Sequence, residues 1–220
     1  MKISTLGKQV FLYIIGIAFI LGVLYIMQFK AASKTTPYVV VIHGYNGSSH
    51  VDWFPPLAQK MQADRVNYTI PDLPGGEYPQ AEAWLQTVHT NLVGKQEPYI
   101  FVGYSLGTRA ALLYLEKYAV KTPLVVLVAA FSNSTANAQK RNGVYASFFT
   151  HEINLTKIKR QVGKIIILHS KDDTTVEYAQ AVELAKDLGA DLITFENKGH
   201  FSDPANAEII YTFLKSYVTK

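Results

Sequence analysis

The sequence predicts an α/β fold in which a mostly parallel, six-stranded sheet is covered by helices on both faces. Strand and helix patterns alternate from about residue 38 to residue 218. Several strand patterns are continuous β-branched runs, as expected where both faces of a strand are buried. Strands that alternate with helices form right-handed crossover units, giving three layers with functional sites at the carboxyl ends of the strands.

The six predicted strands are apolar runs separated by polar or glycine-containing turns. The first reads YVVVI, and the fifth, KIIILH, repeats its β-branched centre. Their lengths are typical of strands in globular proteins. We place them at residues 38–42, 66–70, 99–102, 123–129, 164–169 and 192–196.

Five helices are predicted between and after these strands. Asp52 is a candidate cap for the first helix, Gly189 is a good stop for the fourth, and Asp203 with Pro204 suits the start of the last. We place the helices at about residues 53–63, 79–93, 106–120, 176–188 and from 203 toward the C-terminus. Residues 131–158 are irregular and too short for a large lid, so we expect no large cap.

Residues 10–29, VFLYIIGIAFILGVLYIMQF, differ from the rest of the chain because only Gln28 among them carries a strongly polar group. About 20 apolar residues are enough for a helix to span the ~30 Å hydrocarbon layer of a membrane. We therefore expect one N-terminal transmembrane helix before the α/β domain. The expected organisation is a membrane anchor at residues 1–30, a short tether at 31–36 and the domain at 37–220.

Two other interpretations of this run compete. A buried core helix fits poorly, because a run that is apolar on every face has no place in so small a domain. A cleaved signal peptide normally has an apolar region of ~7–15 residues, although Ala31-Ala32-Ser33 offers a weak cleavage site. We expect an uncleaved, single-pass signal anchor with the domain outside the cytoplasm, while the flanking lysines leave the orientation open.

Charge and composition exclude several classes of function. The four lysines in residues 1–34 account for the whole net charge of +4, so the rest of the chain is neutral and lacks the basic surface that nucleic-acid binding requires. The absence of cysteine excludes disulfides, thiolate catalysis and cysteine–zinc sites. The six histidines show no metal-ligand spacing, so we expect no metal and no cofactor.

Gly103-Tyr104-Ser105-Leu106-Gly107 fits the G-x-S-x-G pattern and lies between the third predicted strand and the helix that follows it. In that context the pattern predicts a nucleophile elbow, a sharp turn that exposes a serine hydroxyl at the edge of the sheet. A serine that merely caps a helix after a glycine-rich turn is the alternative. The strand–turn–helix setting favours Ser105 as a nucleophile.

A serine hydroxyl is a weak nucleophile and needs a base that is itself held by an acid. After such an elbow the chain order is serine, acid, histidine. The fifth strand leads into Asp172 and Asp173, and His200 is the one histidine that follows them. We predict the triad Ser105, Asp173 and His200. Asp173 is preferred because the turn Asp173-Thr174-Thr175-Val176 resembles an Asp-Pro-x-Val turn common in this arrangement, and Asp172 stays the alternative acid.

Two backbone N–H groups are expected to stabilise the oxyanion. One belongs to Leu106, directly after the nucleophile, and the other to Tyr45 in the loop after the first strand. His43 in that loop is interpreted as a bracing residue. The remaining histidines are interpreted as structural or surface residues: His50, His89, His151 and His169.

Together these motifs resemble the small cap-less α/β-hydrolases related to retinoblastoma-binding protein nine and the YdeN-like bacterial serine hydrolases. The resemblance covers about residues 37–218 and implies ester or amide hydrolysis by a triad that matches Ser105, Asp173 and His200. It rests on His43-Gly44, Trp53-Phe54-Pro55, Pro71-Asp72-Leu73-Pro74 with Trp84, Gly103–Gly107, Phe148-Phe149-Thr150 with Ile158-Lys159, Asp172-Asp173 and Gly199-His200-Phe201.

We therefore expect a carboxylesterase-like serine hydrolase that cleaves small to medium acyl esters through an acyl-enzyme, without a cofactor. The partner is a small-molecule ester or amide. The same triad serves peptidases, amidases and acyltransferases, and the sequence does not separate them. A non-catalytic binding protein on this fold is the other alternative, and the loss of a triad residue would favour it.

Overall fold

A six-stranded sheet forms the centre of the protein in the computed structural model, which describes residues 36–219. Its strand order is β2-β1-β3-β4-β5-β6, and all five pairings are parallel. This confirms the predicted parallel, six-stranded sheet. The strands are β1 (Tyr38–Ile42), β2 (Tyr68–Thr69), β3 (Tyr99–Tyr104), β4 (Thr122–Val128), β5 (Val162–Ser170) and β6 (Asp191–Phe195).

Helices cover both faces of the sheet, which completes the three predicted layers. Successive side chains of β1 point to opposite faces, so Val39 and Val41 contact the layer formed by α1 and α6, whereas Val40 and Ile42 contact the other layer. The helices are α1 (Phe54–Ala63), α2 (Ala81–Leu92), α3 (Leu106–Tyr118), α4 (Leu155–Gln161), α5 (Tyr178–Leu188) and α6 (Asn206–Val218).

The membrane part of the predicted fold is corrected. The expected transmembrane helix at residues 10–29 lies outside the described residues, and the longest helices within residues 36–219, α3 and α6, have 13 residues each. No helix in that part of the chain is long and apolar enough to cross a membrane. Within residues 36–219 the fold is therefore the α/β domain without a spanning helix, and the expected anchor, signal-anchor and single-pass membrane localisation are not retained.

Several helix boundaries differ from the prediction because side chains close turns beside them. Asp52 does not cap α1, since the cap position is Trp53 and no side chain bonds there. The last helix begins at Asn206 because Asp203 first closes a turn by accepting the Ala205 N–H at 2.7 Å. The sequence also missed α4, a short helix whose first turn is capped by Asn154.

The segment between β4 and α4 contains 3-10 turns at Thr135–Gly143, which is interrupted by a kink at residues 140–142, and at Ala146–Phe148, so it forms no large cap. Arg109, which is 2% exposed, ties this segment to α3. Its guanidinium donates hydrogen bonds to the Phe148 carbonyl at 2.8 Å, to Asn133 Oδ1 at 2.6 Å and to the His151 carbonyl. Burial lowers the pKa of Arg109 to about 10, so the group stays charged near neutral pH.

Replacing Arg109 with methionine is expected to lower the free energy of unfolding by about 3–5 kcal/mol, because the buried side chain loses all three of its hydrogen bonds to the segment after β4. Urea denaturation followed by circular dichroism measures the effect. Arg160→Met, at an exposed position of α4, is the matched control and should change stability by less than about 0.5 kcal/mol. Equal stability of the two variants would contradict the bracing role of Arg109.

Candidate active site

Ser105 lies at the sharp turn between β3 and α3, at the carboxyl edge of the sheet. Its backbone has a φ of 52° and a ψ of −121°, a strained conformation for a residue with a side chain. A Cβ on Gly103 would lie 2.6 Å from the Gly107 carbonyl oxygen, and one on Gly107 would lie 2.2 Å from the Ile42 carbonyl oxygen. Both glycines are therefore required by close backbone packing around the strained serine.

The structure brings Ser105, His200 and Asp173 into one hydrogen-bonded row. Ser105 Oγ lies 2.9 Å from His200 Nε2, and His200 Nδ1 lies 2.8 Å from Asp173 Oδ2. The side chain of Asp173 is fully buried, whereas that of His200 is 19% exposed. These contacts have the geometry of a nucleophile, a base and an orienting acid.

The carboxylate of Asp173 is held from both of its oxygens. Oδ1 accepts the N–H groups of Thr175 at 2.8 Å and Val176 at 2.9 Å, closing the turn after β5 and delaying the start of α5. Oδ2 faces His200 and also His169 Nε2, at 3.3 Å. Burial alone would raise the pKa of Asp173, but the hydrogen bonds from the two histidines outweigh it and hold that pKa well below its usual range.

The low pKa of Asp173 predicts a loss of stability in acid. A carboxyl whose pKa is lower in the folded than in the unfolded chain stabilises the fold above ~3.9, and that stabilisation disappears as the pH falls through and below this value. The difference between the urea midpoints of wild type and Asp173→Asn should therefore be constant near pH 7 and begin to shrink as the pH falls below about 4. Asp187→Asn, an exposed position of α5, serves as control; a wild-type advantage over Asp173→Asn that is constant with pH would contradict the prediction.

His169, interpreted from the sequence as structural or surface, is fully buried against the acid. Its Nε2–H donates to the Val176 carbonyl at 2.8 Å and points also toward Asp173 Oδ2. Its Nδ1 is buried with no hydrogen-bond partner in the described residues. One feature of the sequence could have indicated this contact: His169 is a polar residue at the end of a buried strand, directly before the turn that carries Asp173.

Asp172, the alternative acid, lies outside the row from Ser105 to Asp173. Its Oδ1 accepts hydrogen bonds from Ser170 Oγ and, at 3.0 Å, from the Gly199 N–H. Ser170 Oγ in turn accepts the Lys198 N–H at 2.9 Å. Asp172 thus braces the loop that carries His200.

The two residues predicted to donate to the oxyanion belong to segments that adjoin Ser105. Leu106 is the first residue of α3, so its N–H has no partner within the helix. The loop of Tyr45 lies against the serine, since a Cβ on Gly44 would be 3.0 Å from Ser105 Cβ. His43 braces this loop as predicted: its Nε2 accepts the Leu73 N–H at 2.9 Å and its Nδ1 donates to the Gly44 carbonyl at 2.8 Å.

Two further ionisable groups face His200. The ring of Tyr104 lies 5.3 Å from the imidazole, and burial raises the pKa of its hydroxyl. Burial also raises the pKa of Asp52, while the charge of His200 opposes that shift. Asp52, predicted only as a helix cap, thus belongs to the electrostatic surroundings of the base.

The remaining histidines lie elsewhere. His50 is exposed near Asp72, His89 stacks on Tyr118, and His151 pairs with Glu116. Among residues 36–219, no three histidine or acidic side chains are grouped to hold a metal ion.

The parallel sheet, the glycine-flanked serine at its edge and the adjoining histidine and aspartate define the α/β-hydrolase class. Within this class the chain belongs to the serine hydrolase family, whose model matches residues 39–208. The hydrolase activity of that family is thereby assigned to the protein.

Individual relatives agree with this assignment. The chain is 30% identical over 190 residues to the hydrolase YdeN of Bacillus subtilis (strain 168), covering 84% of this chain and 98% of YdeN. It is 31% identical over 136 residues to serine hydrolase RBBP9 of Rattus norvegicus, covering 62% of this chain and 69% of that protein.

Solved structures show the same architecture. The crystal structure of the ydeN gene product from B. subtilis superimposes with a TM-score of 0.74, covering 84% of this chain and all of that one. A monoacylglycerol lipase from Paleococcus ferrophilus gives a TM-score of 0.63 at 15% identity, covering 83% of this chain and 95% of the lipase. The second likeness concerns the fold alone.

Proposed function

We propose that the protein cleaves carboxylic esters with small to medium acyl groups through an acyl-enzyme on Ser105. The observation that carries the proposal is the unbroken row of hydrogen bonds from Ser105 Oγ through His200 to Asp173 Oδ2. In this row Ser105 has a base that can take its proton, and His200 has a carboxylate that holds its Nδ1–H.

The proposed reaction proceeds in two halves. Ser105 Oγ attacks the ester carbonyl while His200 Nε2 takes its proton, and the oxyanion forms near the N–H groups of Leu106 and Tyr45. The tetrahedral intermediate collapses, His200 returns the proton to the departing alcohol, and an acyl-enzyme remains. Water then attacks the acyl group in the same way and releases the acid. Asp173 holds the Nδ1–H of His200 and stabilises the imidazolium in both halves.

The shape of the site supports a small or medium acyl group. The segment after β4 leaves the serine edge without a large cap, and a pocket of about 330 Å³ opens beside the turn of Asp173. Such a volume lies at the lower end of small-molecule pockets.

An acyl-chain panel tests the ester proposal. Initial rates are measured for 4-nitrophenyl acetate, butanoate and octanoate, with the 4-nitroanilide of butanoic acid as the amide of matched shape. We expect hydrolysis of the esters, fastest at the shorter chains, and a much slower anilide reaction. A faster anilide reaction would instead favour an amidase, and the absence of any ester hydrolysis would contradict the proposal.

The proposed base predicts a pH profile. Because His200 must be neutral to accept the serine proton, kcat/KM should rise with pH along a single limb and then level off. Tyr104 should add no limb near neutrality, since burial raises its pKa. His200→Ala should lower kcat by on the order of 10⁶ and remove the limb. If the limb persists at near-normal rates in that variant, another group is the base.

A further inference from the structure

The pocket beside the acid-bearing turn carries positive charge, and we call it the basic pocket. It lies at the carboxyl edge of the sheet, between the segment after β4 and the turn after β5. Its walls are formed by Phe131, Lys140, Arg141, Tyr145, Thr174 and Thr175. Two cations, three hydroxyls and two aromatic rings thus line one opening, and none of these residues is acidic.

Three connections place the basic pocket at the same edge of the sheet as the proposed triad. Thr174 directly follows Asp173, the proposed acid. Phe131 follows β4 closely, and the last residue of that strand, Val128, accepts the Ser105 N–H at 2.8 Å. The Arg141 guanidinium lies 4.6 Å from the ring of Tyr45, whose N–H is a proposed oxyanion donor.

The two cations are available to a ligand. In the part of the chain that the structure describes, neither Lys140 nor Arg141 forms an ion pair. The Arg141 guanidinium also lies over the ring of Tyr45, and the rings of Tyr45 and Tyr145 pack edge to face at 5.5 Å. A guanidinium that lies over an aromatic ring and has no carboxylate partner in the described residues keeps hydrogen-bond donors for an incoming anion.

The backbone that presents Arg141 is strained. Arg141 and Asn142 both adopt left-handed conformations, with φ values of 49° and 55°. Consecutive left-handed residues with side chains are unfavourable and are found where the surrounding structure imposes them, often at ligand sites. Arg141 is one of the residues that line the basic pocket.

From these observations we infer that the substrate carries an anionic group, a carboxylate or a phosphate, which binds Arg141 and Lys140 while its ester carbonyl lies at Ser105. This substrate class rests on the proposed esterase function. It accounts for two cations without ion pairs in the described residues, at the edge of the sheet that carries Ser105.

A pair of esters with equal chain length tests the substrate class. The 4-nitrophenyl monoester of glutaric acid carries a terminal carboxylate, and 4-nitrophenyl pentanoate is its neutral counterpart. We expect wild type to prefer the anionic ester in kcat/KM and to lose that preference as NaCl is raised. Arg141→Gln should lower the anionic-to-neutral ratio by about 10- to 100-fold, the factor that one hydrogen bond to a charged group provides. Lys140→Gln should lower it less.

The matched control is Lys121→Gln, at an exposed lysine before β4 on the opposite edge of the sheet, which should keep the wild-type ratio. Titration of the Ser105→Ala protein with glutarate and with glycerol 3-phosphate compares the affinities for the two anions. The tighter binder shows whether the anionic group is a carboxylate or a phosphate. Equal use of both esters by wild type and by Arg141→Gln would overturn the anionic substrate while leaving the esterase proposal intact. Failure of wild type to hydrolyse either ester would overturn both.

A separate observation concerns His169, which we infer to be a positioning residue for Asp173. Its Nε2–H approaches the same carboxylate oxygen, Oδ2, that receives the His200 Nδ1–H. The second donor fixes the carboxylate and shares the negative charge of Oδ2 between two N–H groups. The other ionisable groups that face this pair are Tyr178 beside His169 and Tyr104 and Asp52 beside His200.

Two variants distinguish this role from simple packing. His169→Leu should lower kcat about tenfold, the effect of losing one hydrogen bond to a charged group, and move the pH midpoint of kcat/KM upward. His169→Gln, which keeps an N–H donor, should restore most of both. Ile167→Ala, on the same face of β5, should lower stability without moving the midpoint. An unchanged midpoint in His169→Leu, or equal impairment of the glutamine variant, would overturn the inference.

Discussion

Replacing Ser105 with alanine is expected to lower kcat for 4-nitrophenyl butanoate by on the order of 10⁶, because the acyl-enzyme no longer forms. The residual rate should come from the oxyanion donors and substrate binding alone. The initial rate is measured over several hours, and the rate of a blank without enzyme is subtracted. Alanine has to adopt the same strained backbone as Ser105, with a φ of 52°. The free energy of unfolding of Ser105→Ala should therefore be near that of wild type or slightly lower.

Ser202 offers a matched control, because it is exposed and lies only two residues from His200 in the chain. Ser202→Ala should retain the wild-type rate within about twofold, as expected for an exposed substitution outside the reacting atoms. If Ser105→Ala keeps more than a small fraction of the activity, the nucleophile lies elsewhere and the proposed mechanism fails.

Asp173→Asn is the second substitution with a large expected effect. An amide in place of the carboxylate no longer holds the Nδ1–H tautomer of His200, and turnover should fall by about 10⁴. KM should change little, because the Asp173 side chain is fully buried and contacts the base. The kcat and KM of the purified variant, together with its urea midpoint, measure the effect apart from stability.

Asp172→Asn is the informative comparison, because the two aspartates are adjacent and only Asp173 contacts His200. Asp172 accepts hydrogen bonds from Ser170 and Gly199, and the carbonyl oxygen of asparagine accepts such bonds too. Turnover should therefore fall less than about tenfold. The opposite ranking of the two variants would transfer the role of acid to Asp172.

Chain order and local pattern were enough to predict the row of Ser105, Asp173 and His200. The glycines that flank Ser105 indicate close backbone packing at the elbow. A single histidine follows the two candidate acids, which identifies the base. The β-branched runs predicted the buried parallel strands, because a strand that is covered on both faces needs apolar side chains at successive positions.

Contacts between distant segments were not predictable in this way. Arg109 reads as an ordinary helix residue, yet it binds carbonyl groups some forty positions later in the chain. His169 contacts the acid only because Asp173 closes a turn that brings Val176 back over the strand end. The basic pocket likewise joins the segments after β4 and β5, whose meeting depends on the folded sheet.

Covalent labelling with a fluorophosphonate tests the central claim most directly, since it reports an activated serine without assuming any substrate. The reagent is applied to wild type, Ser105→Ala and His200→Ala, and the modified peptide is located by mass spectrometry. The account predicts one adduct in wild type, on the peptide that contains Ser105, no adduct in Ser105→Ala and much slower labelling in His200→Ala. An adduct of equal yield in wild type and Ser105→Ala, or one on a different serine, would contradict it.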